Sequence, residues 1–495
     1  MVEKFYWADE IADQIIKKNP NKKQYVCASG ITPSGTVHIG NFREVITTEL
    51  VVRALKDKKK KARFIYSWDD YDRFRKIPEW LSKDYEKYIG MPVSEIPSPF
   101  DKNKSYARYF EEKFENSLSE VGIKADFVQQ NIMNKKCKYS KLIKIGLDKR
   151  KEIMNILNKY RKEPLAKDWV PIVIYCEKCK KDFTKIISIK NYEIEYECVC
   201  GHKDKFDYRK KGLVSVKWRV DWPMRWKYEG VNFEPGGIDH SVQGGSFTTA
   251  KEISKQIFDW PAPVYVFYDW IKLKGGKEFA SSTGNDITPK QVGEVYEPEV
   301  LRYLFVSQKP KTGFQISFDN DVIKIYEDYD ALEKKYCEKK VNPREKRIYE
   351  LSQVDKPKKK IVKKTSFRHL ITLIQTNKKI PLNDKIRAEK VKNWLEKYAR
   401  EDMKFEVQTK INVKLEKKEK LALLKLKNIL KAGEHSEEEL FNMFYEICKD
   451  VGISNTQFFQ AVYRVIINKE KGPRLANLIL TIGKDKIIKL LEQMK

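Results

Sequence analysis

No stretch of this 495-residue chain stays apolar for the roughly 20 positions that a membrane-spanning helix needs. Its first residues, MVEKFYWADEIADQIIKK, mix acidic with basic groups and hold no apolar core of the kind a secretory leader carries. A soluble, cytoplasmic protein with no membrane partner is therefore the expectation. Cysteine is scarce: of eight residues, Cys27, Cys137, Cys337 and Cys448 are scattered and four are clustered. That distribution excludes a disulfide framework and suits metal ligation in a reducing compartment. Internal repeats and low-complexity tracts are absent as well. What is abundant is basic charge, 99 Lys and Arg against 70 Asp and Glu, or +29. Such a surplus fits a polyanionic partner, and it equally fits a lysine-rich composition spent on solvated surface, so charge alone leaves both open. With 41% apolar and 12% aromatic residues the chain can bury real cores, and its length implies two or three domains.

Over the first 310 or so residues, short β-branched or aromatic runs alternate with amphipathic stretches. QYVCASG, ARFIYSW, ADFVQQ and APVYVFYDW read as strands; WADEIADQIIKKN, SYARYFEEKFENSLSEVG and TAKEISKQIFDW read as helices. Strand and helix in alternation predict an α/β domain with a doubly wound, Rossmann-type parallel sheet over residues 1–315. Beyond it, DKIRAEKVKNWLEKYAR, EKLALLKLKNILK and SEEELFNMFYEICKDVG predict an all-α domain over 316–495, with Ser436 and Glu439 forming a capping box. The basic, Pro-containing run VDKPKKKIVKKTSF suits either a linker or a solvated loop among the helices.

Within the first part, CEKCKKDFTKIISIKNYEIEYECVCGH places Cys176-x2-Cys179 before Cys198-x-Cys200. Two such knuckles around a strand-rich loop predict a zinc ribbon over 165–212, with four thiolates holding a structural Zn²⁺. The second pair is one residue tighter than C-x2-C, which leaves His202 as an alternative to Cys198 for completing the site.

The stretch TPSGTVHIGNFRE (32–44) joins a strand to a long helix that should start near Asn41. It contains no G-x-x-x-x-G-K-[ST] lysine, so it is not a P-loop. His38, Gly40 and Asn41 instead fall beside a helix N-terminus at the carboxyl end of a strand, where doubly wound folds bind ligands and phosphate is attracted. A histidine donates a hydrogen bond to a phosphate oxygen without a full charge, and glycine lets a flat adenine approach the backbone. These residues suit ATP.

HIGN is the form that the HIGH signature takes in many class I aminoacyl-tRNA synthetases. With DDYDRFRKIP (69–78), GMPVSEIPSPF (90–100), WRVDWPMRW (218–226), FEPGGIDHSVQGGSF (233–247), SSTGN (281–285), SFRHL (366–370) and KEKGPRLANLI (469–479), in that order, the whole chain resembles class I lysyl-tRNA synthetases. The resemblance implies an enzyme that forms lysyl-adenylate from L-lysine and ATP, with Mg²⁺, and passes the lysyl group to tRNA(Lys); it implies no DNA partner. His38 and Asn41 would contact the phosphates, Gly40 would underlie adenine, and Asp239, Ser281 and Ser282 would complete the ATP site. Gly30, Thr32, Trp222, Asp239, His240 and Tyr268 would form the lysine pocket, with Asp221 and Asp239 as candidates to meet the ε-ammonium. The zinc ribbon would face the acceptor end of tRNA and the helical domain would bind the anticodon, where Phe458, Phe459, Tyr463 and Arg474 are candidates for stacking, although core packing is the expectation for the two phenylalanines. The chain departs from the family's K-M-S-[SK]-S pattern: KGGKEFASSTGN puts Glu278, Phe279 and Ala280 at the K, M and first S positions. Lys277, or Lys274 further back, is then the candidate to meet pyrophosphate. A glutamyl-tRNA synthetase, a small nucleotidyltransferase with the same signature, and a catalytically decayed tRNA-binding paralogue are the competing readings.

Overall fold

The computed structural model describes residues 6–275, 287–358 and 360–494. They form two compact units, one made of residues 1–293, 301–316 and 340–357, the other of 294–300, 317–339 and 358–495. The chain crosses between the units repeatedly. The reason is local: helix Asp321–Cys337 packs with helices of the second unit, whereas Pro343–Ser352 belongs to the first. The last crossing lies in the basic run VDKPKKKIVKKTSF.

In the first unit, β1 (Tyr25–Ile31), β2 (Ala62–Trp68), β3 (Asp126–Gln129), β4 (Phe233–Gly237) and β5 (Val264–Tyr268) make one sheet in the order β5-β4-β1-β2-β3. All four ladders are parallel. The strand order reverses between β1 and β4, which are registered at Cys27 and Phe233, and such a switch point opens a crevice at the carboxyl ends of the strands. β4 is the strand that sequence pattern misses, because FEPGG has one proline and two glycines in five residues. Its glycines answer to neighbours: a Cβ on Gly236 would lie 2.3 Å from the Tyr265 hydroxyl, and one on Gly237 2.4 Å from Asp239 Oδ1.

The helices of this unit include α1 (Trp7–Lys18), α2 (Ile39–Asp57), α3 (Tyr106–Glu120), α4 (Trp218–Glu229) and α5 (Ser246–Gln256). α2 is buried nearly all round: Ile39, Phe42, Val45, Ile46, Leu50, Val51 and Leu55 are at most 1% exposed. At roughly 1.5–3 kcal/mol per large apolar side chain, that burial fixes the helix as a rigid support. The insertion is a three-stranded antiparallel sheet of Thr184–Lys190, Glu193–Cys198 and Lys203–Asp207, and its neck is closed by Ile172–Ile174 paired with Val214–Val216.

The C-terminal part of the second unit is helical among the described residues, with α6 (Phe367–Gln375), α7 (Lys417–Ala432), α8 (Glu437–Val451), α9 (Asn455–Ile467) and α10 (Leu475–Ile482) among its helices. The capping box at the start of α8 is present: Glu439 N–H donates to Ser436 Oγ and Ser436 N–H to Glu439 Oε2. Leu423, Leu426, Leu440, Phe444, Phe458, Val462 and Ile479 form the core. Phe458 is wholly buried in it, so it is not a stacking platform, and the partly buried Phe459 packs against it. No helix among the described residues is long and apolar enough to cross a membrane.

Candidate active site and sulfur cluster

The crevice is built from the end of β1 outward. A Cβ on Gly30 would lie 2.5 Å from the Ser67 carbonyl oxygen, so only glycine lets β1 and β2 run this close at their carboxyl ends. Thr32, just beyond, donates its hydroxyl to Asp72 Oδ2 at 2.9 Å. The chain then enters α2 at Ile39, two residues before the expected start, with His38 as its N-cap. His38 Nδ1 accepts from Gly40 N–H at 3.1 Å, and Asn41 Oδ1 accepts from His38 N–H at 3.1 Å. Three signature residues thus hold the helix mouth in one reciprocal cap. Because Nδ1 is an acceptor, the imidazole proton is assigned to Nε2. Burial lowers the His38 pKa to about 4, so the ring is neutral near pH 7.

One turn into α2, Glu44 ties two candidate pocket residues together. Its Oε1 accepts from Gly30 N–H at 2.9 Å and its Oε2 from the Tyr268 hydroxyl at 2.6 Å, at the end of β5. Both donors are neutral, and burial raises the Glu44 pKa to about 8. Sequence reasoning missed this residue; its only local signal is a carboxylate in a turn otherwise filled by Phe42, Val45 and Ile46.

Gly30 also lines a pocket with Ser67, Asp69, Trp222, Arg225 and Glu234. Trp222 stacks on Trp218 at 5.1 Å between centroids and lies 5.9 Å from the His240 ring. Arg225 reaches Asp69 at 2.6 Å and Asp221 at 2.8 Å, and also donates to Ser67. Trp226 Nε1–H donates to Glu234 at 2.5 Å. Burial raises Asp221 and Glu234 each to about 7 and Asp72 to about 6. Asp239 differs: its side chain is 54% exposed and stands 3.8 Å from His240 Nε2. Gly30, Thr32, His38, Gly40, Asn41, Trp222, His240 and Tyr268 thus all sit at or just beyond the carboxyl ends of the strands or on the helices beside them, while Asp239 points to the rim.

Lys277, Ser281 and Ser282 lie outside the described residues, as do Glu278, Phe279 and Ala280. The chain on either side is fixed. Ile271–Leu273 pairs with Phe314–Ile316, and the Ile287 carbonyl accepts from Ile39 N–H at 2.7 Å, which sets residue 287 at the mouth of α2.

In the insertion, Cys176 Sγ lies 3.7 Å from Cys200 Sγ and Cys179 Sγ 3.6 Å from Cys198 Sγ, with all four sulfurs within 4.8 Å of one another. A tetrahedral ZnS₄ centre with bonds of about 2.3 Å has edges of about 3.8 Å. The two measured edges are of that size, so the four sulfurs could together hold a metal ion such as zinc. His202 stands instead with Glu177 and Asp204, and its backbone N–H meets the Cys200 sulfur.

The family model described as tRNA synthetases class I (K) matches residues 5–355, and that of the anticodon binding domain matches 385–495. A lysine–tRNA ligase of Borreliella burgdorferi is 42% identical over 515 aligned positions that cover 98% of each chain. One from Treponema pallidum is 42% identical over 518 positions, again 98% of each chain. One from Pyrococcus horikoshii is 37% identical over 519, covering 98% of this chain and 99% of the other. With matches of that extent over a parallel sheet whose switch point holds a histidine-capped helix, the chain belongs to the class I lysine–tRNA ligase family.

Proposed function

We propose that this chain ligates L-lysine to tRNA(Lys) with ATP, through a lysyl-adenylate. The observation that carries the reading is Glu44, a buried carboxylate held between Gly30 N–H and the Tyr268 hydroxyl six residues after His38. A buried carboxylate with only neutral donors lacks a counter-charge, and the ε-ammonium of lysine supplies one. Asp221 and Asp239, the candidates from motif position, fit less well: Asp221 is occupied by Arg225 and Asp239 is exposed. The same arrangement disfavours glutamate, because Arg225, the cation of the pocket, is already shared between Asp69 and Asp221.

With the side chain so held, the lysine carboxylate attacks the α-phosphorus in line and pyrophosphate leaves. No protein nucleophile takes part, so the residues act by positioning and by spreading charge. His38 Nε2–H and Asn41 face the phosphates, Gly40 lies under the adenine, and Trp222 and His240 wall the amino acid, with Asp239 at the ribose. Mg²⁺ bound with the nucleotide would supply charge neutralisation at its phosphates. The test is tRNA charging and tRNA-supported ATP–pyrophosphate exchange with each of the twenty amino acids. Lysine alone should support both; activity with none would leave the tRNA-binding paralogue.

For the second signature we propose, from its motif position, that Lys277 is the pyrophosphate cation and that Ser281 and Ser282 serve the phosphates. Lys277→Ala should then slow adenylate formation by about 2–4 kcal/mol of transition-state stabilisation in the same exchange assay, and Glu278→Lys should not slow it. A silent Lys277→Ala in an active enzyme would move the role to Lys274.

The four cysteines, on this reading, hold one Zn²⁺ that stiffens the insertion against the acceptor end of tRNA. Purified protein should carry about one zinc per chain by metal analysis. Cys176→Ser should release it and raise amide exchange over 165–212. Stoichiometric zinc in a protein lacking both Cys176 and Cys179 would refute the site.

A further inference from the structure

Two motifs that the adenylation chemistry leaves unused, SFRHL and KEKGPRLANLI, meet on one cleft within the second unit. α6 brings Arg368 and His369 to it, and the turn 471–474 brings Lys471 and Arg474 before entering α10, which carries Asn477. That turn is held flat on α9. The Tyr463 hydroxyl donates to the Pro473 carbonyl at 2.6 Å, and a Cβ on Gly472 would lie 2.7 Å from Ile467 Cδ1 and 2.9 Å from Tyr463 Cε1. Tyr463 thus pins a cation-bearing turn instead of offering its face for stacking. On the opposite wall, Ser366 Oγ caps α6 by accepting from His369 N–H at 3.2 Å.

His369 and Asn477 are in contact across the cleft, Nδ1 to Oδ1 at 3.1 Å, and Asn477 Nδ2–H donates to Glu437 Oε2 at 3.3 Å. A carboxylate only accepts, so the amide nitrogen is assigned to the Glu437 side and the oxygen to the His369 side. His369 Nδ1 then carries a ring proton, and in the Nδ1–H tautomer Nε2 is an acceptor. The cleft wall is not uniformly basic, since Glu327 already pairs with Arg368 at 2.8 Å. Lys471 and Arg474 are the groups placed to meet phosphate.

Resting on the reading of the chain as a tRNA(Lys) ligase, we infer that this cleft seats one unstacked base of the anticodon loop and that His369 selects uracil there. Sequence-specific recognition of RNA targets splayed, single-stranded bases through their pairing edges. Uracil presents N3–H between two carbonyl oxygens, and cytosine presents a bare N3. An acceptor at Nε2 meets the first and sets lone pair against lone pair with the second. Lysine anticodons carry uridine at the second and third positions, whereas glutamate anticodons carry cytidine at the third. A uracil-reading histidine at the third position would therefore reject the tRNA of the amino acid whose ligase is the nearest competing reading.

The test uses the full-length enzyme and tRNA(Lys) transcripts with U or C at the second or third anticodon position, read as kcat/KM for charging. In the wild type, U to C at the read position should cost about 10- to 100-fold. His369→Ala should lower kcat/KM on the parent transcript and bring the U-to-C ratio towards one, with kcat at saturating tRNA within about twofold of wild type. His369→Gln, whose amide oxygen is again an acceptor, should restore part of the ratio. Lys471→Ala should weaken U and C transcripts alike and flatten the salt dependence. A wild-type ratio retained by both His369 variants at both positions would overturn the inference while leaving lysine charging intact. Failure of the wild type to charge lysine at all would instead sink the functional reading beneath it.

Discussion

Glu44→Gln will raise the KM for lysine by about 10²- to 10³-fold, the consequence of removing one member of a buried charge pair, and will change kcat far less. The ε-ammonium is remote from the reacting carboxylate, so its loss is a loss of binding in ground and transition state alike. Folding should survive. The Glu44 pKa of about 8 keeps the free enzyme's carboxyl mostly protonated at pH 7, and glutamine resembles that neutral group in size and hydrogen bonding. The same shift sets a pH dependence with a definite sign. On the proposed binding mode lysine pairs with the ionised carboxylate, so below about pH 8 binding would release a proton from Glu44. Apparent affinity should therefore rise with pH, by up to about tenfold per unit, and level off above pH 8. Calorimetric titrations with lysine at several pH values would show this slope in the wild type and none in Glu44→Gln. A KM within about twofold of wild type would assign the ε-ammonium to another carboxylate, with Asp72 the next to test.

That Glu44 escaped sequence reasoning while His38 did not has a physical cause. His38, Gly40 and Asn41 interact within one helical turn, so their hydrogen bonds are encoded in local spacing. The sulfur cluster is local in the same sense, two knuckles on one small sheet, and its spacing told. The partners of Glu44 lie 14 and 224 residues away, and no local periodicity encodes such a meeting. β4 is the same case: a Cβ at Gly236 would press on Tyr265, a residue 29 positions away, so a central strand carries the composition of a loop. In the helical unit the apolar periodicity of α7 and α8 was plain from sequence, whereas the pairing of His369 with Asn477 spans 108 residues and emerges only when α6 and α10 pack together. Assemblies built within one local segment were thus visible in the sequence, and those joining distant segments were not.

His38 holds two tasks, and one substitution separates them. As N-cap it accepts from Gly40 N–H, a contact worth about 1 kcal/mol of stability; as Nε2–H donor it faces the phosphates on the proposed mechanism. His38→Ala removes both and should slow adenylate formation by about 10²- to 10³-fold, the range for losing one oriented donor to a charged transition state, while also lowering the melting temperature. His38→Asn should keep the melting temperature, because asparagine is among the best N-caps, yet remain slow, because its shorter side chain spends its oxygen on the cap and leaves no donor at the imidazole's reach. Lysine affinity should be near normal in both, since Glu44 and Tyr268 are untouched. The neutral ring makes a further demand. With its pKa near 4, His38 keeps one protonation state from pH 6 to pH 8 and should contribute no inflection to the rate there. An adenylation rate that falls on raising the pH through 6.5 in the wild type, but not in His38→Asn, would mean that the ring acts as a cation and that the assigned tautomer is wrong. Unchanged exchange kinetics in His38→Asn would take the residue out of the chemistry and leave it only the helix cap.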